Sequence, residues 1–113
     1  MKLITIIDMS EAIQSLIEQK LPFQLAYKIS NIAEIIEKNQ NFWQEKIHEI
    51  AKKYEVNEVK DIPKEKVSDF NKDIQELMDV DIGDDIPKLD VKELEGVELT
   101  PKHVFLLKPI ITN

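Results

Sequence analysis

The sequence predicts a mainly helical α+β chain: a long antiparallel helical hairpin with a small terminal β-sheet. Three observations predict it. Residues 23–54 repeat an apolar residue in steps of three and four (Leu25, Ile29, Ile32, Ile36, Trp43, Ile47, Ile50, Tyr54), the signature of one helix with one apolar face. Residues 64–78 repeat the same steps at Val67, Phe70, Ile74 and Leu77. Beyond Gly83 the helical period gives way to alternation and turn residues.

The elements follow in order. Lys2 to Ile7 is rich in Ile and Thr and alternates weakly, which predicts a short strand. Asp8 is placed to cap a first helix, with Glu11 three residues on as an acidic capping box and Met9, Ala12, Ile13, Leu16 and Ile17 as its apolar face. Leu21-Pro22 ends it, because proline disfavours helical geometry in the residue before it. Pro22 then suits the first turn of the long helix, where no amide donor is needed. At about 48 Å, that helix is too long to be wrapped by so short a chain, and so it needs a partner, within the chain or beyond it. Between Ile36 and Trp43 the seam must pass through Asn39 or Gln40; taking Gln40 gives two successive steps of four, a stutter that locally unwinds a supercoil.

After Tyr54 a charged connector, EVNEVKDIP, leads to the helix at 64–78, whose matched seam predicts the hairpin over about 23–78. Gly83-Asp84-Asp85 and Glu95-Gly96 read as turns, and 86–91 and 97–99 as strands that form the sheet with 2–7. Thr100-Pro101 is a helix start, threonine at the cap and proline in the first turn, and Lys108-Pro109 stops that helix. The whole is expected as a single domain, residues 1–113, with a strand-rich end made by 1–7 and 80–113.

Composition narrows the function classes. At 113 residues with 42% hydrophobic content, the chain supports one modest core. It has no cysteine, hence no disulfide or thiolate metal site, and no apolar run near the ~20 residues of a membrane span. Its 15 cations are all lysine. Without arginine's planar fork, and with a net charge of −7, recognition of nucleic acid is disfavoured. The charge is uneven: residues 1–56 hold 7 lysines against 8 acids, residues 57–113 hold 8 against 14. A cytoplasmic protein that meets a basic protein surface is the expectation.

No catalytic, metal or cofactor motif emerges. His48 and His103 each lack a second histidine at helical spacing, and two glycines cannot build a phosphate-cradling loop. Asp79-Val80-Asp81-Ile82-Gly83-Asp84-Asp85 only superficially suggests a calcium loop, because its glycine is fifth rather than sixth and its twelfth position is Asp90 rather than glutamate. The candidate partner-binding residues are Phe42 and Trp43, beside the polar triplet 39–41, and the acids Asp79, Asp81, Asp84 and Asp85. Trp43 has two readings: an exposed anchor for a partner, or core packing against the 64–78 helix.

Two stretches also carry a resemblance. LPFQLAYKISNIAEIIEK, where Leu21-Pro22 precedes Ala26-Tyr27-Lys28-Ile29, and the closing IPKLDVKELEGVELTPKHVFLLKPII resemble an uncharacterised family of small phage and prophage proteins from low-GC Gram-positive hosts. The lysine-only, Asn- and Ile-rich usage also looks like that of an AT-rich genome. The resemblance implies no activity and transfers no site residue. Together these features lead to the expectation of a non-enzymatic, phage-encoded protein that binds a host protein, with a self-associating particle or tail component as the alternative.

Overall fold

In the computed structural model, which describes residues 1–83 and 85–112, the chain is a mainly helical α+β fold organised on one long helix. The helices are α1 (Leu3–Asp8), α2 (Ser10–Ile17), α3 (Phe23–Lys53), α4 (Val67–Met78) and α5 (Pro101–Leu107). The strands are β1 (Leu89–Asp90) and β2 (Ile111–Thr112). At 31 residues α3 spans about 46 Å and sets the long axis of a body measuring 51 × 24 × 21 Å.

The N-terminal segment corrects the sequence reading. Residues 3–8 are helical, not a strand. Leu3, Ile6 and Met9 are spaced in threes and all are fully buried, and the run continues through Ala12, Ile13 and Leu16. Helical spacing therefore puts Leu3, Ile6 and Met9 on one inward face, with Ile4 and Ile7 at its margins, whereas alternation would have buried Thr5 with Leu3. Met9, in near-helical geometry, joins α1 to α2 with no side-chain cap, and Asp8 is the exposed last residue of α1 rather than a cap. What remains of strand pairing is one antiparallel bridge, Lys2 to Asp81, flanked by Leu3 N–H donating to Val80 O and Ile82 N–H to Met1 O.

The sheet is likewise not the predicted one. It pairs β1 with β2 in parallel, Leu89 beside Ile111 and Asp90 beside Thr112. Parallel pairing demands a crossover, which α5 and its flanking turns provide. Residues 97–99 join no strand, and the strand-rich end expected from 1–7 and 80–113 is largely helix, turn and coil. The backbone of Glu98 is satisfied by a side chain: Gln19 Nε2 donates to its carbonyl at 2.7 Å and Gln19 Oε1 accepts from its N–H at 3.1 Å. Glutamine thus imitates a strand partner. Glu95-Gly96 is a turn, with Gly96 at φ +77°, and Thr100 Oγ1 accepts from His103 N–H to cap α5 as expected.

Residues from α1, α2, the first half of α3 and the C-terminal segment meet in one main cluster, from Ile6 and Ile13 through Ile29, Ile32 and Ile36 to Leu89, Leu107 and Ile110. The C-terminal segment is tied to it by Lys28 Nζ, which donates to Glu93 at 2.8 Å and to the Lys88 carbonyl at 3.0 Å. Ala51, Phe70 and Leu77 are buried outside that cluster. There α4 meets α3, with the Phe70 ring edge-on to Tyr54 at 6.1 Å. Ahead of α4, residues 64–66 form a 3-10 turn, and Val67 is exposed.

Candidate functional site

The apolar seam of α3 is used unevenly. Leu25, Ile29, Ile32 and Ile36 are buried, while Trp43, Ile47 and Ile50, on the same face, are only half-buried. The polar layer between them is Asn39, which is 4% exposed and donates from Nδ2 to Ile35 O at 2.8 Å. Gln40, the alternative seam residue, instead reaches α2 and donates to Ser10 Oγ at 2.9 Å. Asn39 marks the place where α3 runs out of main core.

Below that layer, Trp43, Ile47, Ala51 and Val59 line an open hollow of about 290 Å³ between α3 and the connector, with Gln44, His48, Asn57 and Glu58 at its rim. The connector is set there by the end of α3. Glu55 takes φ +63°, its N–H donates to Lys52 O, and Val56 N–H donates to Ala51 O. That is the Schellman arrangement with glutamate in the place glycine usually takes. Trp43 therefore opens toward the connector.

Phe42, one residue earlier and about 100° round the helix, faces elsewhere. It lines a separate depression with Glu34, Asn41 and Glu45, and Lys46 Nζ sits 5.6 Å from its ring centre. The two predicted aromatic anchors do not form one patch.

Of the predicted acids, Asp79 and Asp81 are surface groups with partners of their own. Asp81 accepts from the Met1 ammonium at 2.9 Å, and Asp79 from Lys2 at 3.2 Å and from Gln75. Both carboxyls are held below the ordinary range, Asp79 first by the Gln75 hydrogen bond and Asp81 by the ammonium. Asp85 is exposed, and Asp84 lies outside the described residues. Asp79 and Asp81 thus fasten the start of the chain to the end of α4.

A second hydrogen-bonded group locks α4 to α3. Tyr54 Oη donates to Asp73 Oδ2 at 2.6 Å and Lys53 Nζ donates to the same oxygen at 3.1 Å. The bond to Asp73 pushes the Tyr54 hydroxyl up to about 12, and its counterpart lowers Asp73.

Sequence reasoning missed the side of α3 next to α2. Two hollows lie there, of about 280 and 400 Å³, floored by Leu16, Ile29 and Ile36 and both lined by Ile17 and Ala33. The available signal was the run of small residues Ala26, Ser30 and Ala33 on a flank of the helix that the seam leaves uncovered. Also missed was the exposed pair Phe23 and Tyr27, 81% and 63% accessible and stacked at 6.3 Å.

Of the two histidines, His48 rims the Trp43 hollow. His103 lines a polar hollow with Ser15, Glu18 and Thr100, its Nδ1 enclosed and without a hydrogen-bond partner among the described residues. No three His, Asp or Glu side chains of the described residues gather as a metal site, and no described helix is long and apolar enough to cross a membrane. Compared with family models, curated proteins and solved structures, the chain finds no match.

Proposed function

We propose that this is a non-enzymatic, phage-encoded interaction protein that binds and modulates a protein of its bacterial host in the cytoplasm, without a cofactor. One observation carries the binding part: the apolar face of α3 continues past Asn39 into a half-buried stretch, Trp43, Ile47 and Ile50, that the main core does not cover. Apolar surface left open at the end of a rigid 31-residue helix is where a partner gains most from desolvation. The acidic second half of the chain favours a partner with a basic surface, since like-signed surfaces repel on approach. The phage origin rests on the resemblance of residues 21–38 and 86–111.

Affinity capture from host lysate with mass spectrometry tests the proposal. One dominant host protein retained by the native chain and lost by Ile47→Gln, but kept by Gln24→Lys on an exposed face of α3, is the expected result. If the purified chain instead forms concentration-dependent oligomers by sedimentation and retains no host protein, it is an assembly component and the proposal fails.

A further inference from the structure

The two hollows beside α2 and the one beside the connector share one flank of α3. Ala26, Ala33, Gln40, Gln44 and Ala51 follow one another along it in steps of seven and four, so they stay on one side of the helix. From Ala26 to Ala51 this flank runs about 37 Å. Its walls change from α2 in the upper half to residues 57–59 in the lower half. Its apolar floor, Leu16, Ile29 and Ile36 above and Trp43, Ile47 and Ala51 below, is crossed midway by Gln40, which bonds Ser10. Small side chains at Ala26, Ser30 and Ala33 leave room for a second backbone to approach closely.

The charge pattern specifies the occupant. In a chain with 15 lysines, none of the residues lining these three hollows is a lysine. The polar lining residues are serine, glutamine, asparagine and His48, and the only charged groups among them are the carboxylates Glu37 and Glu58. Neither α5 nor α4 of a second copy matches. Its α5 presents exposed Phe105 between Lys102 and Lys108, but seven residues span only about 10 Å. Its α4 carries Asp69, Asp73 and Glu76 against Lys72 alone, and would bring carboxylates toward Glu37 and Glu58.

From this we infer that the flank of α3 between Ala26 and Ala51 is a docking groove for one amphipathic helix of a partner protein, its apolar stripe facing α3 and lysine or arginine on its edges. The inference rests on the proposed binding role and names its mode: a helix laid in a groove, read by anchors at helical spacing along its length. Basic edges meet Glu37 and Glu58, while the apolar stripe covers Ile17, Ile47 and Val59.

The test uses the full chain and synthetic 24-residue peptides without tryptophan, so that Trp43, the single tryptophan, reports on the groove. One peptide carries leucine at helical spacing with lysine edges; a second is its scramble, of equal charge; a third has glutamate edges. The lysine-edged peptide is expected to bind one to one, shift the Trp43 emission to the blue and gain helix by circular dichroism. The scrambled and glutamate-edged peptides should bind at least tenfold more weakly. Ser30→Lys, an exposed helical position in the groove, should weaken binding at least tenfold, and Gln24→Lys on another face by less than twofold. Equal binding of peptide and scramble, or indifference to Ser30→Lys, would overturn the groove. So would a dimer of the native chain that Ser30→Lys dissociates, because the occupant would then be a second copy. Should Ser30→Lys still capture the host protein that Ile47→Gln loses, the groove is refuted and the binding role stands.

Discussion

At the scale of single residues, Tyr54 carries the clearest consequence. Its hydroxyl donates to Asp73, so the native state favours the neutral phenol and holds it up to about 12. A group raised in the folded state contributes its full stability below the unfolded value near 10, and loses it as pH rises from there through about 12. Asp73 runs the other way: its lowered carboxyl contributes above the unfolded range near 4 and loses that as pH falls. Thermal melts of the native chain and Tyr54→Phe at pH 7, 10 and 12 should therefore converge as pH rises, since the bond lost in the variant is also lost by titration. Curves that stay a constant distance apart would show that the hydroxyl does not anchor α4. The seam gives a second contrast. Ile32 is fully buried, so Ile32→Asp should cost about 4 kcal/mol or more by enclosing an unpaired carboxylate. Ile47 is half-buried and borders an open hollow, so Ile47→Asp should cost about half as much, read by denaturant unfolding. Equal losses would show that α3 is covered to its end.

At the scale of elements, the end of α3 is held at a strained point. Glu55 sits in left-handed geometry, which disfavours a residue with a Cβ by about 1 kcal/mol or more, yet both Schellman hydrogen bonds are made. Replacing it with glycine removes that strain without touching either bond. Glu55→Gly should raise the melting temperature by about 4 °C, corresponding to about 1 kcal/mol in a domain of this size. A drop instead would mean that the glutamate side chain stabilises the connector by more than the strain costs. The same geometry explains why the connector lies against α3 and shapes one wall of the Trp43 hollow: the reversal after Tyr54 brings Val56 and Val59 back beside Ala51.

Across the whole molecule, charge and shape divide the work. The main core occupies one end of the long axis, and α4 closes on α3 beyond it through Phe70, Tyr54 and Asp73. The surplus of acid lies in the second half of the sequence. Asp79 and Asp81 already hold Lys2 and the Met1 ammonium, so their contribution to a partner is the field they add to, more than a direct contact. Asp85 is exposed, and reversing it should alter encounter while sparing the fold. With the captured partner, Asp85→Lys should lower the association rate by about twofold to fivefold at low salt and flatten its salt dependence, with the dissociation rate unchanged. A rate indifferent to both would leave packing along α3 as the sole source of recognition.

The sequence by itself determined the elements whose signal is local and repeated. α3 and its limits follow from a seam of eight apolar positions bounded by Leu21-Pro22, α4 from the same steps at Phe70 and Leu77, and α5 from the Thr100-Pro101 cap. Each involves residues within a turn or two of one another, so period and cap chemistry suffice. Tertiary structure decided the rest. Whether Leu3 to Ile7 coils or extends depends on what its side chains meet, and helical spacing is what buries Leu3, Ile6 and Met9 together. The sheet joins two-residue strands 22 positions apart, too short to leave a period. The choice of Asn39 over Gln40 turned on Ser10, thirty residues away, which gives Gln40 its partner. The hollows beside Ala26, Ser30 and Ala33 exist because α2 stands along that flank, and a run of small residues becomes a recess only once such a wall is in place.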